Sequence, residues 1–318
     1  MSRSRTSILV LISLATAIAA SPWSTRLRAG QAAPSADASA LLAGTIDIHV
    51  HSLPDDRARS IDALEVAKLA KTRGMRGLVL KNHYESTAGL AYIIRTVVPE
   101  LEVFGGIDLN LTVGGINPAA VEHMTRVSGG FGRMVWMPTF DAENQVRVSK
   151  ENRPSVSVAR DGELLPAVKE VIALIAKNRL ALATGHSSPS EAMLLLREGQ
   201  RQGVRAMVVT HAMNTPVLMN VAQMQEAAKT GAFIEFVGGN PTGGNAAERL
   251  NQFADAIRKI GPQSVILSTD LGQPNNPLPP DGFGAFLAAL RARGFSTQEL
   301  ALMAKQNPAR LLGLEGSR

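Results

Sequence analysis

The chain contains no cysteine in its 318 residues. Disulfides, thiolate metal sites and a cysteine nucleophile are therefore excluded. Without disulfides the fold rests on its core, and 45% hydrophobic residues over this length are enough to build one. Long apolar runs are missing too. The N-terminal run Ile8 to Ala20 covers 13 residues, short of the ~20 that span a bilayer. It follows Arg3 and Arg5 and carries the small-x-small pattern Ala17-Ile18-Ala19, so residues 1–20 read as a secretory signal peptide rather than an anchor. No Cys follows the run, which removes a lipoprotein site, and no Arg-Arg pair supports a twin-Arg route. Residues 21–44 are rich in Ala, Ser, Pro and Arg and read as a disordered leader or linker. Clustered basic charge is also absent. The net charge is +6, but residues 1–40 hold four Arg and one Asp, which leaves the remainder near +3 with no basic stripe. Nucleic acid is thus not an expected partner. The pattern fits an exported protein, periplasmic or secreted. It is compatible with a homo-oligomer and predicts no stable membrane span after signal cleavage.

From Thr45 onward strand and helix alternate. Eight apolar strand candidates follow in order: Thr45–His51, Gly77–His83, Glu102–Asn110, Arg133–Phe140, Leu180–His186, Arg205–Ala212, Ala232–Val237 and Val265–Gly272. Between them lie helical patterns such as Ser60 to Arg73, stopped by Gly74, and the stretches 162–178 and 246–260. Asn117-Pro118 and Ser188-Pro189-Ser190-Glu191 are helix-start signals. Eight strands alternating with helices predict an α/β fold, a (β/α)8 TIM barrel over residues 45–318. An open doubly wound sheet calls for a Gly-rich phosphate turn after its first strand, and His51-Ser52-Leu53-Pro54 stands there instead. Three long loops, Asp141–Asp161, Gly238–Asn245 and Leu271–Gly284, are expected on the face that carries barrel active sites. The first of them is a candidate lid.

Polar residues collect at the strand ends. Strand one ends Asp47-Ile48-His49-Val50-His51, strand two Lys81-Asn82-His83, strand three Asp108-Leu109-Asn110. Strand five ends in His186, strand six in His211 and strand eight in Asp270. Five of the six histidines occupy such positions. Only His123 falls on a helix, where it reads as exposed. Strand alternation puts His49 and His51 on one side, within reach of a single divalent cation. Neutral imidazoles and one carboxylate suit zinc or a similar ion, one or two per site. Such an ion makes hydroxide available near neutral pH. Asp270 can then accept the water's proton, and His211 can bind a second ion or polarise the substrate oxygen. Asp47, one pleat below His49, is placed to orient a ligand imidazole. Glu235 reads equally as a mouth residue or a satisfied polar residue of the barrel, and Trp136 as core.

These motifs resemble the amidohydrolase superfamily of metal-dependent hydrolases across Thr45 to Leu314. The matching pieces are Asp47-Ile48-His49-Val50-His51, His186, His211 and Asp270. The tail Asn307-Pro308-Ala309-Arg310-Leu311-Leu312-Gly313-Leu314 is similar to that family's closing helix. The chain looks similar to a poorly characterised branch of that family with a Lys-x-His ending on strand two, here Lys81-Asn82-His83. The resemblance implies a barrel holding one or two ions, usually zinc, with His49, His51, His186, His211 and Asp270 as ligands and Asp270 also as general base. One departure stands out. Two-metal members bridge their ions with a carboxylated Lys or a Glu from strand four, and Met134-Val135-Trp136-Met137-Pro138-Thr139-Phe140 offers neither. Either one ion is bound, or Lys81 is carboxylated and bridges two. A third reading keeps Lys81 as an ammonium against an anionic part of the substrate. His83 is a candidate substrate contact, ligand or ligand support. The expected reaction is hydrolysis of a C–N bond, in an amide or cyclic amide, or of an ester. The alternatives are a decarboxylase, a non-catalytic binding protein of the periplasm that keeps the metal, and a phosphoesterase of the polymerase-and-histidinol-phosphatase type. That last class expects a late Asp-x-His pair, where this chain has Asp270-Leu271-Gly272.

Overall fold

A computed structural model describes residues 36–314 of the chain. The expected signal peptide and most of the expected leader lie outside these residues. The leader's last part does not: Ala36–Leu42 forms a helix, α1, that buries Leu41 and Leu42. The folded body therefore begins before Thr45, where the first strand run starts. No helix among the described residues is long and apolar enough to cross a membrane.

Eight strands run parallel in chain order: β1 (Ile46–Val50), β2 (Gly77–Leu80), β3 (Glu102–Asp108), β4 (Gly132–Trp136), β5 (Ala181–Ala183), β6 (Ala206–Val209), β7 (Phe233–Val237) and β8 (Val265–Ser268). Each bonds to the next, and the ring closes where the His51 N–H donates to Leu271 O at 2.8 Å and the Asp270 N–H to His49 O at 2.9 Å. This is the expected (β/α)8 barrel. All eight strand runs form strands, and most end several residues earlier than the apolar pattern suggests. His51, His83, His186, His211 and Asp270 therefore stand on the loops just past the strands.

The strands are buried on both faces, which is why they read as unbroken apolar runs. Inside the barrel Ile46, Ile48, Val79, Phe104, Trp136 and Ile266 share one cluster with Ala309, Leu311 and Leu312 of the C-terminal segment. Asn307 ties that segment to the start of β8, donating to Val265 O at 2.7 Å. The closing helix thus plugs the end of the barrel opposite the histidines.

The helices begin at the expected signals. The Asn117 side chain accepts from the Ala120 N–H to start α4 (Pro118–Arg126), which carries His123 on its exposed side. Ser188 and Glu191 form a capping box at α7 (Pro189–Arg201). Two segments differ from expectation. Pro279 and Pro280 open α10 (Pro279–Arg291) instead of extending the preceding loop, since proline suits the first helical turn. The expected helix over 162–178 starts later, as α6 (Pro166–Asn178), because Ala159–Arg160 and Glu163–Leu164 pair in a short hairpin. The long segment after β4 also holds a short helix, α5 (Glu143–Val148).

Candidate metal centre

His49, His51 and Asp270 form the one compact group of potential metal-binding side chains among the described residues, with ligand atoms within 4.8 Å of one another. Asp270 Oδ1 lies 3.2 Å from His49 Nε2 and 3.1 Å from His51 Nε2. The strand register places them. β1 and the turn after β8 are neighbours at the barrel closure, so two stretches far apart in sequence meet there. Both imidazoles are buried, whereas the Asp270 side chain keeps 29% of its surface and opens to the barrel mouth.

The second carboxylate is Glu235. Its Oε1 sits 3.1 Å from His49 Nδ1 and accepts Ser268 Oγ–H at 2.7 Å, and its Oε2 accepts the His211 N–H at 2.8 Å. One side chain of β7 thereby holds β1, the loop after β6 and β8. Asp47 does not have the orienting role expected of it. The pairing register of β1 slips between Asp47 and Val50. The Asp47 carboxylate binds backbone instead, taking the N–H of His49 and of Thr269 at 3.1 Å each, plus Thr269 Oγ–H at 2.6 Å. Burial raises it to about 7 against those bonds.

The electrostatics suit a cation. Burial lowers the His49 pKa, but Asp270 and Glu235 outweigh it and lift the imidazole to about 9. Burial raises the Asp270 carboxyl, yet His49 and His51 hold it well below the usual range. His51 falls to about 4, chiefly through burial, and so stays a neutral ligand at pH 7. Two carboxylates converging on one imidazole favour positive charge at that point, and His51 Nδ1 and His211 Nδ1 are buried without partners. The donor set of two imidazoles and one carboxylate fits a divalent ion such as zinc. Its histidine–carboxylate support, His49 to Glu235, is the kind that metal ligands keep.

His186 and His211 stand beside this group without joining it. Their rings are 4.8 Å apart, and His211 stacks 6.1 Å from His49. Gln145 Oε1 lies 2.8 Å from His186 Nδ1, so α5 fixes that ring. Burial pulls both imidazoles down, His186 well below its ordinary value. The backbone is strained at two of these residues: φ is 27° at His211 and 53° at Asp270, the left-handed region that non-glycine residues avoid.

Lys81 and His83 belong to a third set. Lys81 Nζ lies 3.0 Å from Asp108 Oδ2, with both side chains fully buried, and 5.4 Å from the centre of the Trp136 ring. His83 Nδ1 approaches Thr139 Oγ1 at 2.9 Å, and its ring stacks on His51 at 4.8 Å. Trp136 is core, as expected, and also wall: its ring lies 6.4 Å from that of His49. Thr139 and Gln145 carry no signal as site residues in the sequence, Asp108 stands there only as one of the polar strand ends, and Glu235 reads equally as a mouth residue or a satisfied barrel residue. The available signal was a charged residue inside an apolar strand, as in Phe233-Ile234-Glu235-Phe236.

Fold and site together define a (β/α)8 barrel with a histidine–carboxylate group at the C-terminal ends of its strands. Residues 44–235 match the model of a family of unknown function, DUF6282, and the chain belongs to that family. No curated protein matches it. Among solved structures the chain is similar to an amidohydrolase from Pseudomonas aeruginosa, at 12% identity over 87% of this chain and 98% of that one, with a TM-score of 0.56. It is similar to a mutant PTE-like lactonase from Deinococcus radiodurans, at 18% identity over 87% and 97%, with a TM-score of 0.56. It is also similar to a 2,6-dihydroxybenzoate decarboxylase from Rhizobium, at 13% identity over 86% and 100%, with a TM-score of 0.55. At these identities the likeness is one of fold.

Proposed function

We propose that the protein is a metal-dependent hydrolase of the amidohydrolase type, acting on a C–N bond in an amide or cyclic amide, or on an ester, of a small molecule. The observation that carries this reading is the placing of Asp270 Oδ1 at 3.1–3.2 Å from Nε2 of both His49 and His51. A divalent ion, zinc by its donors, would supply Lewis acidity and lower the pKa of a water there. His49, His51 and Asp270 would hold it, with His186 and His211 beside them as further candidate ligands. Asp270 is the exposed member of the group, so its second oxygen can take the proton of the attacking water and return it to the leaving group. Glu235 keeps His49 Nε2 directed at the site by holding Nδ1. His211 stands where it can polarise the carbonyl oxygen. Lys81 enters as an ammonium committed to Asp108. A carboxylated lysine there would set a second anion about 3.0 Å from a buried carboxylate, which is costly in a low-dielectric interior. One ion is therefore favoured over two, and Lys81 acts through its neighbours. His83 is the substrate contact. The signal-peptide pattern of residues 1–20 supports an exported enzyme.

Elemental analysis of the purified protein tests the metal, with an expected content of about one ion per chain. In the metal-loaded protein, Asp270→Asn is expected to lower hydrolysis of a responsive amide or ester by a factor of ~10²–10⁴ while the circular dichroism spectrum stays unchanged. Full activity in that variant, or no metal and no gain on adding zinc, sinks the proposal.

A further inference from the structure

Asn110 Oδ1 accepts the backbone N–H of Thr139 at 2.9 Å and of Asp141 at 3.1 Å. Two backbone donors decide which end of the amide is oxygen. Asn110 Nδ2 is thus a donor, to the His83 carbonyl and to Thr139 Oγ1, both at 2.7 Å. The Thr139 hydroxyl has one proton, which goes to Asp108 Oδ2 at 3.0 Å. A lone pair of Thr139 Oγ1 remains, and it faces His83 Nδ1 at 2.9 Å. Asp108 Oδ2 is also 3.2 Å from Nδ1. An unprotonated ring nitrogen against those two oxygens repels, whereas an N–H bonds. The competing donor, Lys81 Nζ, is farther away at 3.5 Å and already committed to Asp108 at 3.0 Å. The proton of neutral His83 therefore sits on Nδ1, and Nε2 carries the lone pair. All five side chains of this chain of bonds are buried, so water does not offer them substitutes. His83 Nε2 has no protein partner among the described residues. The ring it belongs to stacks on His51 at 4.8 Å and meets the edge of Phe140 at 4.2 Å, beside the candidate metal group.

We propose that His83 offers Nε2 to the substrate as a hydrogen-bond acceptor, so that the site selects compounds bearing an N–H or O–H donor next to the scissile carbonyl. This rests on the hydrolase reading and narrows it. Amides and cyclic imides with a free N–H are taken, and N-alkylated imides and simple esters are poor ligands. Asp108, Thr139 and Asn110 are positioning residues that set the tautomer. A site built to accept a donor discriminates strongly against the analogue that lacks it.

The tautomer is read by long-range ¹H–¹⁵N correlation on the full chain as purified, with the His83 signals assigned by their loss in His83→Gln. The Nδ1–H form is expected, and the Nε2–H form overturns the proposal. Thr139→Val is expected to shift the ring toward Nε2–H, and Thr139→Ser to restore the Nδ1–H form. Zinc-loaded protein is then titrated with succinimide and with N-methylsuccinimide. Succinimide is expected to bind about tenfold more tightly, a preference that shrinks in Thr139→Val and persists in Thr139→Ser. Equal affinities, or no binding of either imide, overturn it. The tautomer is read without turnover, so a protein that shows Nδ1–H but takes up no metal fails the hydrolase reading and not the tautomer assignment.

Discussion

At the scale of single residues, Glu235 carries the most structure per atom. Its two oxygens serve an imidazole on β1, a backbone amide in the loop after β6 and a hydroxyl on β8. Burial opposes its charge, but His49 outweighs burial and holds the carboxyl below its ordinary value. Carboxylates that support ligand histidines in this way contribute about 10–100-fold to metal affinity. Glu235→Gln keeps the shape and removes the charge. Zinc affinity, measured by competition with a chelating dye, is expected to fall by about that factor, with secondary structure retained. Unchanged affinity would detach Glu235 from the metal centre. Neither this residue nor Asp108 could be assigned from sequence, and the reason is physical. A buried carboxylate is explained by its partner, and for Glu235 the partner lies 186 positions away. The histidines were legible because several residues of one scarce type recur at one kind of place, the end of a strand. Asp47 was misread because alternation assumes an unbroken pleat, and the slip in β1 breaks it.

At the scale of elements, the turn from β5 into α7 shows how a loop sets a histidine beside the candidate metal group. Gly185 has φ of 61°, and a Cβ there would run into the carbonyl oxygens of Met137 and Pro138. The next residue donates to the same strand-four loop, from His186 N to Pro138 O at 2.9 Å. Gly185→Ala must therefore move one loop or the other. It is expected to destabilise the protein by more than ~1 kcal/mol, seen as a lower thermal midpoint, and to disturb the environment of His186. The segment after β4 supports that turn from the other side. Asn144 Nδ2 donates to His186 O at 2.9 Å and to Pro216 O at 3.1 Å, and both bonds are buried. Asn144→Ala leaves two carbonyls unpaired, and a loss of about 1–3 kcal/mol is expected in denaturant unfolding. A stability change near zero would show that water replaces the amide. This segment, read from sequence as a candidate lid, serves as a buttress in the structure. Strands were the most legible elements, since burial on both faces writes an apolar run. Their ends were not, because the polar site residues continue the extended pattern past the last ladder bond: Gly77–His83 was expected as strand and Gly77–Leu80 is strand. Helix α1 was missed for another reason. Its short Ala-rich stretch shows no period, and its helical state rests on the burial of Leu41 and Leu42.

At the scale of the whole molecule, the barrel is a ring of eight strands in which seven neighbours share ladders and one pair, β8 and β1, does not. That pair is joined by a single isolated bridge, Val50 to Leu271, and by the amides of His51 and Asp270. The candidate metal ligands stand on this same seam, His49 and His51 on one side and Asp270 on the other. An ion held by all three would work as a clasp on a belt, drawing together the two edges that the backbone fastens least. Stripping it should then do more than silence chemistry. Amide exchange at His51 and Asp270 should quicken well before exchange in the β3–β4 ladder, and the unfolding free energy should fall by an amount that grows with zinc affinity, up to ~4 kcal/mol when free zinc is a thousandfold above its Kd, seen as a lower thermal midpoint. Even quickening around the whole ring would deny the ion that fastening role. The residues that bind the ion are in this view also the catch of the barrel, and a variant that loses zinc should come undone from that edge first.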